Sequence, residues 1–450
     1  MRFTRRLRDM DLAKLLVLAV PASLAFAAGC SSSDDASPAA PPPAPLDAST
    51  DAGPSVEDDA GVPPPTRDAG FVDVDPLPIE CASPPCATAL VTTSLPVSAA
   101  DPGQGFCALL SDRTVACWGA NASGQLGRGE PQGTIGASET PARVVGLERV
   151  VSLDHTCALD EDGATWCWGT GPFLQDQQFW GHTTERTPVR LALPAATHVG
   201  IGASVGCVAT SDGRVLCWGA GDNGQVGLVS SVNHGPTVLE VPPGPPIRRI
   251  AIGAATFLVR EDGSVLSLGN SMAIGRVSSL LRDPFPVPID LEGVRSLDIA
   301  LANTCAAARG IGYCWGSKLP SALDNWSRAY PRGLVIPEPV VDVATTPTLS
   351  SLGGVSVPYR WCAVAASGTV YCWGANQNGQ AGTGTKEHVN DAARVVGLPA
   401  PAVSVKTTPS TTCALLTTGK VYCWGGNYDG QLGNGKVRGL ALVPEEVILP

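Results

Sequence analysis

The sequence predicts an all-β fold, a seven-bladed β-propeller, and three observations carry that prediction. A segment recurs seven times with a period of about 50 residues. Within one period the apolar residues fall in short runs separated by Gly, Asp and Pro, which is strand-and-turn punctuation. No segment of the repeat has a helical period of apolar residues, so a helical solenoid does not fit.

The units read FCALLSDRTVACWGANASGQLG (106–127), TCALDEDGATWCWG (156–169), GCVATSDGRVLCWGAGDNGQVG (206–227) and TFLVREDGSVLSLGN (256–270). They continue as TCAAARGIGYCWG (304–316), WCAVAASGTVYCWGANQNGQAG (361–382) and TCALLTTGKVYCWGGNYDGQLG (412–433). Repeat two shows four β runs, VVSLD, TCAL, TWCWG and TPVRLAL. Four strands per period is the content of a propeller blade.

The combined pattern C-A-L-x-x-D-G-x-V-x-C-W-G followed by G-Q-L-G resembles the regulator-of-chromosome-condensation repeat family. The resemblance covers roughly residues 90–450 and implies a seven-bladed propeller. Two Cys in nearly every blade depart from the eukaryotic pattern, and the second, fourth and fifth repeats lose the G-Q-L-G run. The chain ends in Leu442-Val443-Pro444-Glu445-Glu446-Val447-Ile448-Leu449, a strand of the kind that elsewhere precedes another blade. That strand is expected to join the N-terminal blade and close the ring, leaving only short protected edges.

Of 15 cysteines, 14 fall into pairs: Cys107/Cys117, Cys157/Cys167, Cys207/Cys217, Cys305/Cys314, Cys362/Cys372, Cys413/Cys423 and Cys81/Cys86. A hairpin turn such as Asp162-Gly163 or Asp212-Gly213 sets two Cys opposite each other, with Cβ atoms about 4.5–5.5 Å apart, near the reach of a disulfide. The fourth repeat changes both positions together, to Phe257 and Ser267, and the fifth shortens its turn and its Cys spacing together. Disulfides are the reading these covariations support. Buried free thiols are the plainer alternative. Zinc lacks a C-x-x-C run or a His cluster, so no metal and no cofactor is expected.

Charge divides unevenly. The net −11 comprises +3 in residues 1–30, −10 in 31–80 and −4 in 81–450. No basic domain emerges, so nucleic-acid binding is not expected. Residues 1–29 read as a signal peptide: a basic start, an apolar run at 15–28 too short to span a bilayer comfortably, then A-A-G-C at 27–30. That run resembles the lipobox of bacterial lipoproteins, which makes Cys30 the lipidated residue, although Ala27 stands where Leu is usual. Cleavage after Ala27, leaving Cys30 a free thiol, is the alternative. Residues 30–88 are rich in Pro, Ala, Ser and Asp and read as a disordered tether, roughly 40 Å end to end. Residues 89–450 form the propeller domain. The expected location is the bacterial envelope, as an outer-membrane lipoprotein facing the periplasm or the surface and held to the membrane by Cys30.

The tryptophans of the W-G dipeptides (Trp118, Trp168, Trp218, Trp315, Trp373, Trp424) and the G-Q-L-G loops read as packing and turn devices. Loops that break the repeat are more informative. Residues 172–182 carry Phe173, Phe179, Trp180 and His182, residues 317–330 carry Trp326 and Tyr330, and Tyr428 tops the loop of repeat seven. These are the candidate binding residues, with gap-filling between blades as the alternative. No catalytic motif surrounds any of the 5 His, and Asp154-His155 reads as structural. The expected function is a non-enzymatic, envelope-located binding scaffold for a protein or glycan partner. An envelope polysaccharide enzyme using loop carboxylates is a second reading. The family resemblance adds a third, a protein binder of exchange-factor or inhibitor type, because relatives include an exchange factor for a small nuclear GTPase and a secreted β-lactamase inhibitor.

Overall fold

The computed structural model describes residues 74–81, 84–93, 104–129, 136–316, 328–347 and 360–450. Among them the regular elements are β-strands, arranged as seven four-stranded antiparallel sheets with strands in chain order. Each sheet is one blade, and its first strand lines the central channel. Blade two runs outward through Val150–Asp154, Cys157–Asp160, Thr165–Gly171 and Thr183–Arg190; the first three follow the runs read from the sequence, and the outer strand lies about four residues earlier than TPVRLAL. Burial explains the composition of each strand. Second strands such as Gly105–Leu110 and Thr411–Leu416 are buried along their whole length between neighbouring blades, hence their continuous apolar runs. Outer strands such as Ser138–Arg143 mix buried, half-buried and exposed positions across their bulge.

In six blades the two Cys are direct cross-strand partners. The sulfurs are joined in the pairs Cys107–Cys117, Cys157–Cys167, Cys207–Cys217, Cys305–Cys314, Cys362–Cys372 and Cys413–Cys423, with Cα atoms 4.1 Å apart in each. That spacing belongs to the closer, non-hydrogen-bonded kind of antiparallel pair. Phe257 and Ser267 occupy the same facing positions in blade four. The hairpin turns are held by their own carboxylates. Asp112 accepts from Thr114 and Asp262 from Ser264, and those hydrogen bonds hold both carboxyls below the usual range.

The Trp-Gly dipeptide marks a β-bulge. In every blade the pairing of third and outer strands slips between the second Cys position and the Gly, as at Cys117/Gly119 and Cys423/Gly425. The same slip occurs at Ser267/Gly269, where Cys and Trp have both been replaced. Gly119 has φ +104°, and a Cβ there would lie 2.8 Å from the Gln104 carbonyl oxygen. Glycine is therefore required by backbone conformation and by a close backbone approach.

Ring closure differs from the sequence expectation. The C-terminal strand, Leu440–Glu446, pairs with Val421–Gly426 as the outer strand of blade seven. Blade one has its own inner strand, Ala87–Thr92, paired with Gly105–Leu110. Its sequence, ATALVT, lacks the repeat's signature yet has enough β-formers to complete the sheet, so no strand need be borrowed. Blades one and seven instead meet as whole sheets. Trp118 Nε1 donates to the Gln431 carbonyl at 2.9 Å, Gly435 N donates to Glu139 O at 2.9 Å, and Ala87 N donates to Gly419 O at 2.8 Å. Cys81, joined to Cys86, lies at this seam. Upstream, Val74 and Ile79 pack against the core, and Glu80 N donates to Thr417 O at 2.6 Å. Contact with the propeller thus begins before residue 89.

Candidate binding face and central channel

In an antiparallel blade, the first-to-second and third-to-outer connections emerge on one face of the ring. The G-Q-L-G loops lie on that face, and each carries internal hydrogen bonds. Gln125 Oε1 accepts from Ser123 N at 2.8 Å, and Asn121 Oδ1 accepts from Leu126 N at 3.0 Å. The pattern repeats with Gln380 and Asn376, and with Gln431 and Asn427. The next blade's tryptophan then uses the loop. Trp168 Nε1 donates to Gln125 O at 2.9 Å, and a Cβ on Gly127 would lie 3.0 Å from its indole. Trp218 uses Pro172 O at 2.6 Å and Trp315 uses Ala273 O at 2.7 Å where the loop sequence differs. These tryptophans and glycines hold blade to blade.

The cystines stay away from this face. In each blade the first Cys of the pair (Cys107, Cys157, Cys207, Cys305, Cys362, Cys413) sits on the second strand, buried between sheets. Its partner (Cys117, Cys167, Cys217, Cys314, Cys372, Cys423) sits on the third strand and is equally buried. Their place in the fold is a core staple, and none of them is offered to a ligand.

The irregular loop of blade two divides its aromatics. Phe173 is fully buried at 0% exposure, inside the core beside the carbonyl that receives Trp218. It is a core residue, which corrects its reading as a binding anchor: the chain turns inward at Pro172 to replace the missing G-Q-L-G packing. Beyond it, Asp176 accepts from the backbone N–H groups of Gln178 and Phe179 and lifts Phe179 to 65% exposure. Trp180 is half-buried over Gly235 of blade three, where an added Cβ would approach the indole to 2.9 Å. His182 is exposed beside them. Tyr428 is exposed on the same face, and its hydroxyl donates to Asn378 Oδ1 at 2.7 Å, linking the loops of blades seven and six. Tyr330 is exposed on an outer strand, Arg328–Gly333, rather than in a loop. Trp326 and Cys30 lie outside the described residues.

The structure adds residues that the repeat pattern did not single out. Leu228, Val229 and Val232 in the blade-three loop, and Val277, Leu280 and Leu281 in the blade-four loop, are exposed. With Phe179 they place apolar side chains on three consecutive blades of one face. The signal was present in the sequence as apolar residues in loops, LVSSV and VSSLL, that a repeat-based reading passes over.

The central channel encloses a cavity of about 580 Å³. Its carboxylates tie neighbouring inner strands together. Asp154 accepts from Ile201 N at 2.9 Å, Asp298 from Thr345 N at 2.8 Å and Asp342 from Val405 N at 3.0 Å. His155 has φ +50°, and its Nδ1 lies 3.3 Å from Asp154 Oδ1, within ion-pair distance but poorly aligned for a hydrogen bond. Burial opposes charge on both groups, and their mutual attraction outweighs it, so the histidine is pushed up and the carboxyl down. Asp154 thus bridges the inner strands of blades two and three, and His155 stands beside it in the channel. The channel cations Arg248, Arg249, Arg295 and Lys406 carried no motif and were found only by their place on inner strands.

Two models of the regulator of chromosome condensation (RCC1) repeat match the chain, one at residues 196–225, 362–380 and 402–431 and the other at 212–258 and 418–450. The chain is 28% identical over 352 residues to the E3 ubiquitin-protein ligase HERC2 of Mus musculus, covering 72% of the chain but only 7% of that protein. It is 26% identical over 358 residues to the ultraviolet-B receptor UVR8 of Arabidopsis thaliana, covering 73% of the chain and 76% of the receptor. The guanine nucleotide exchange factor SRM1 of Saccharomyces cerevisiae is 26% identical over 245 residues, covering 47% of this chain and 50% of that one. The solved structure of Prp20p from Saccharomyces cerevisiae, described with its binding to Gsp1p and histones, superposes with a TM-score of 0.60 at 19% identity, covering 74% of this chain and 85% of that one. Human WBSCR16 superposes with a TM-score of 0.57 at 19% identity, covering 75% and 94%. With the repeated Trp-Gly bulges and the seven-sheet ring, the chain is a seven-bladed propeller that carries matches to the regulator-of-chromosome-condensation repeat over those residues.

Proposed function

We propose that the chain is an exported, lipid-anchored binding scaffold of the cell envelope that presents the loop face of its propeller to a protein or glycan partner. The observation that carries the reading is the disulfide in six of seven blades. Such a set persists only in an oxidising compartment, which agrees with a signal peptide over residues 1–29 and an anchor at Cys30 ahead of the tether. The exposed apolar side chains around Phe179 support binding on that face, and the channel carboxylates engaged in strand contacts support scaffolding over catalysis. Protein partners fit the kinds of protein this chain is similar to. An exchange-factor-like mode is a variant of the same reading, resting on the match to SRM1, and an inhibitor-like mode is another that rests on the sequence resemblance alone. A polysaccharide-active enzyme is the competitor.

Affinity capture from envelope extracts with the full chain tests the proposal, run beside a Phe179→Ala, Val232→Ser variant. The scaffold reading expects a reproducible partner that the variant retains several-fold less well. Turnover of an envelope glycan, with loss on changing a loop carboxylate, would replace it with the enzyme reading.

A further inference from the structure

We infer that residues 74–81 form a redox-released strap at the hairpin-face mouth of the channel, held while Cys81 and Cys86 are joined and freed when a dithiol reduces that bond. Nothing in this depends on the loop-face reading, because it concerns the opposite face of the ring.

The strap reaches from blade five to blade seven. Asp75 pairs with Arg295 of blade five, Pro76 lines the channel cavity, and Glu80 N donates to Thr417 O in the hairpin turn of blade seven at 2.6 Å. Arg295 stands at the bulge where the inner strand Val294–Ala300 begins, level with the hairpin end of the strand beside it. Both contacts therefore lie on the face opposite the G-Q-L-G loops. Val74 and Ile79 pack, half-buried, against the core that blades six, seven and one share. Pro76 and Pro78 deny the segment two backbone donors, so it cannot pair as a strand. The ion pair is exposed on the Asp75 side and holds it weakly. The remaining anchor is covalent.

That anchor differs from the other disulfides in access. The 12 Cys of the in-blade pairs are at most 2% exposed, whereas Cys81 is an exposed residue. Exchange requires a thiolate to reach a sulfur, and an in-blade cystine meets that condition only when its blade opens. At the exposed link, one thiolate of the dithiol attacks Cys81 Sγ and Cys86 leaves as a thiolate. The second thiol then displaces Cys81, so the cystine gains two electrons and two protons and the dithiol becomes a cyclic disulfide. Cys86 itself is buried against Gly419, and Ala87 N donates to Gly419 O at 2.8 Å, so blade one keeps its place when the link opens. The alternative is a static staple whose reduction leaves the strap seated.

Dithiothreitol treatment of the folded full chain, followed by alkylation and peptide mapping, tests access. Cys81 and Cys86 should take the label at least about tenfold faster than any in-blade Cys. Hydrogen exchange tests release. Reduction should speed exchange of the Glu80 amide by about tenfold or more, while the Ala87 amide keeps its protection. The Cys81→Ser, Cys86→Ser variant should show the fast Glu80 exchange with no reductant present. In-blade pairs that reduce as readily as Cys81–Cys86 would overturn the inference. So would Glu80 protection that neither reduction nor the double variant changes, or an equal loss at Ala87, which would make the link a staple of the seam.

Discussion

Trp118 and Gln431 are 313 residues apart in the chain and 2.9 Å apart in space, the indole N–H of the first blade meeting the loop carbonyl of the last. This contact does at the seam what Trp168 with Gln125 does between ordinary neighbours. Trp424 is equally buried, but its Nε1 has no partner among the described residues, and the Gln380 carbonyl accepts from Thr412 Oγ1 instead. Trp118→Phe should therefore cost about 1–3 kcal/mol more than Trp424→Phe, since only the first strands a buried carbonyl. Equilibrium denaturation of the two variants measures the difference.

The last glycine of each G-Q-L-G loop makes room for the next blade's indole. A Cβ on Gly433 would lie 2.9 Å from Val447 and 3.0 Å from Trp118, at φ +59°. Gly213 has a positive φ too, but open space around it. Gly433→Ala should thus destabilise by about 1–3 kcal/mol beyond the roughly 1 kcal/mol that backbone strain alone costs in Gly213→Ala. A matching pair of melting curves reads the comparison.

The in-blade disulfides close short loops and should each contribute on the order of 2–3 kcal/mol. Replacing Cys107 and Cys117 together by Ser should lower stability by that amount and leave the fold intact, because blade four is built around Phe257 and Ser267 with no staple. Circular dichroism and chemical denaturation of the double variant test both halves of the statement.

Asp154 and His155 make stability depend on pH in a definite direction. The carboxyl is held below its ordinary 3.8, so its share is present above that value and lost as pH falls through the lower folded one. The imidazole is raised above its ordinary 6.5, so its share is complete below 6.5 and lost as pH rises through the folded value. The pair contributes most between those two ordinary values. Asp154→Asn keeps an acceptor for Ile201 N but removes the charge. Its melting-temperature deficit should be largest in that window and shrink as pH rises above it.

Much of the fold was legible because local signals repeat. Cys spacing, turn residues and the Trp-Gly step each recur, and each reports a cross-strand pair, a hairpin or a bulge that forms within one blade. Even the shortened spacing of Cys305 and Cys314 reads correctly, because its hairpin turn is shorter by the same residue. What was not legible depends on contacts between blades. The partner carbonyl of each Trp, the Asp154, Asp298 and Asp342 bridges and the burial of Phe173 come from residues some 40 or more positions away or from packing unique to one loop. The closure error has the same origin: strands at either end of the chain carry the weakest repeat signature, so sequence alone did not show which blade each completes. The exposed residues of the candidate face were misjudged in part because Phe173 and Phe179 look alike in sequence, while only the turn at Asp176 separates core from surface.

The exported, stapled scaffold is tested most directly by mass spectrometry of the full chain recovered from its native cell, mapped without reduction. The account predicts a mature chain that begins at lipid-modified Cys30 and carries the six in-blade links, Cys107–Cys117, Cys157–Cys167, Cys207–Cys217, Cys305–Cys314, Cys362–Cys372 and Cys413–Cys423. An unprocessed N-terminus together with free thiols at those positions would contradict it.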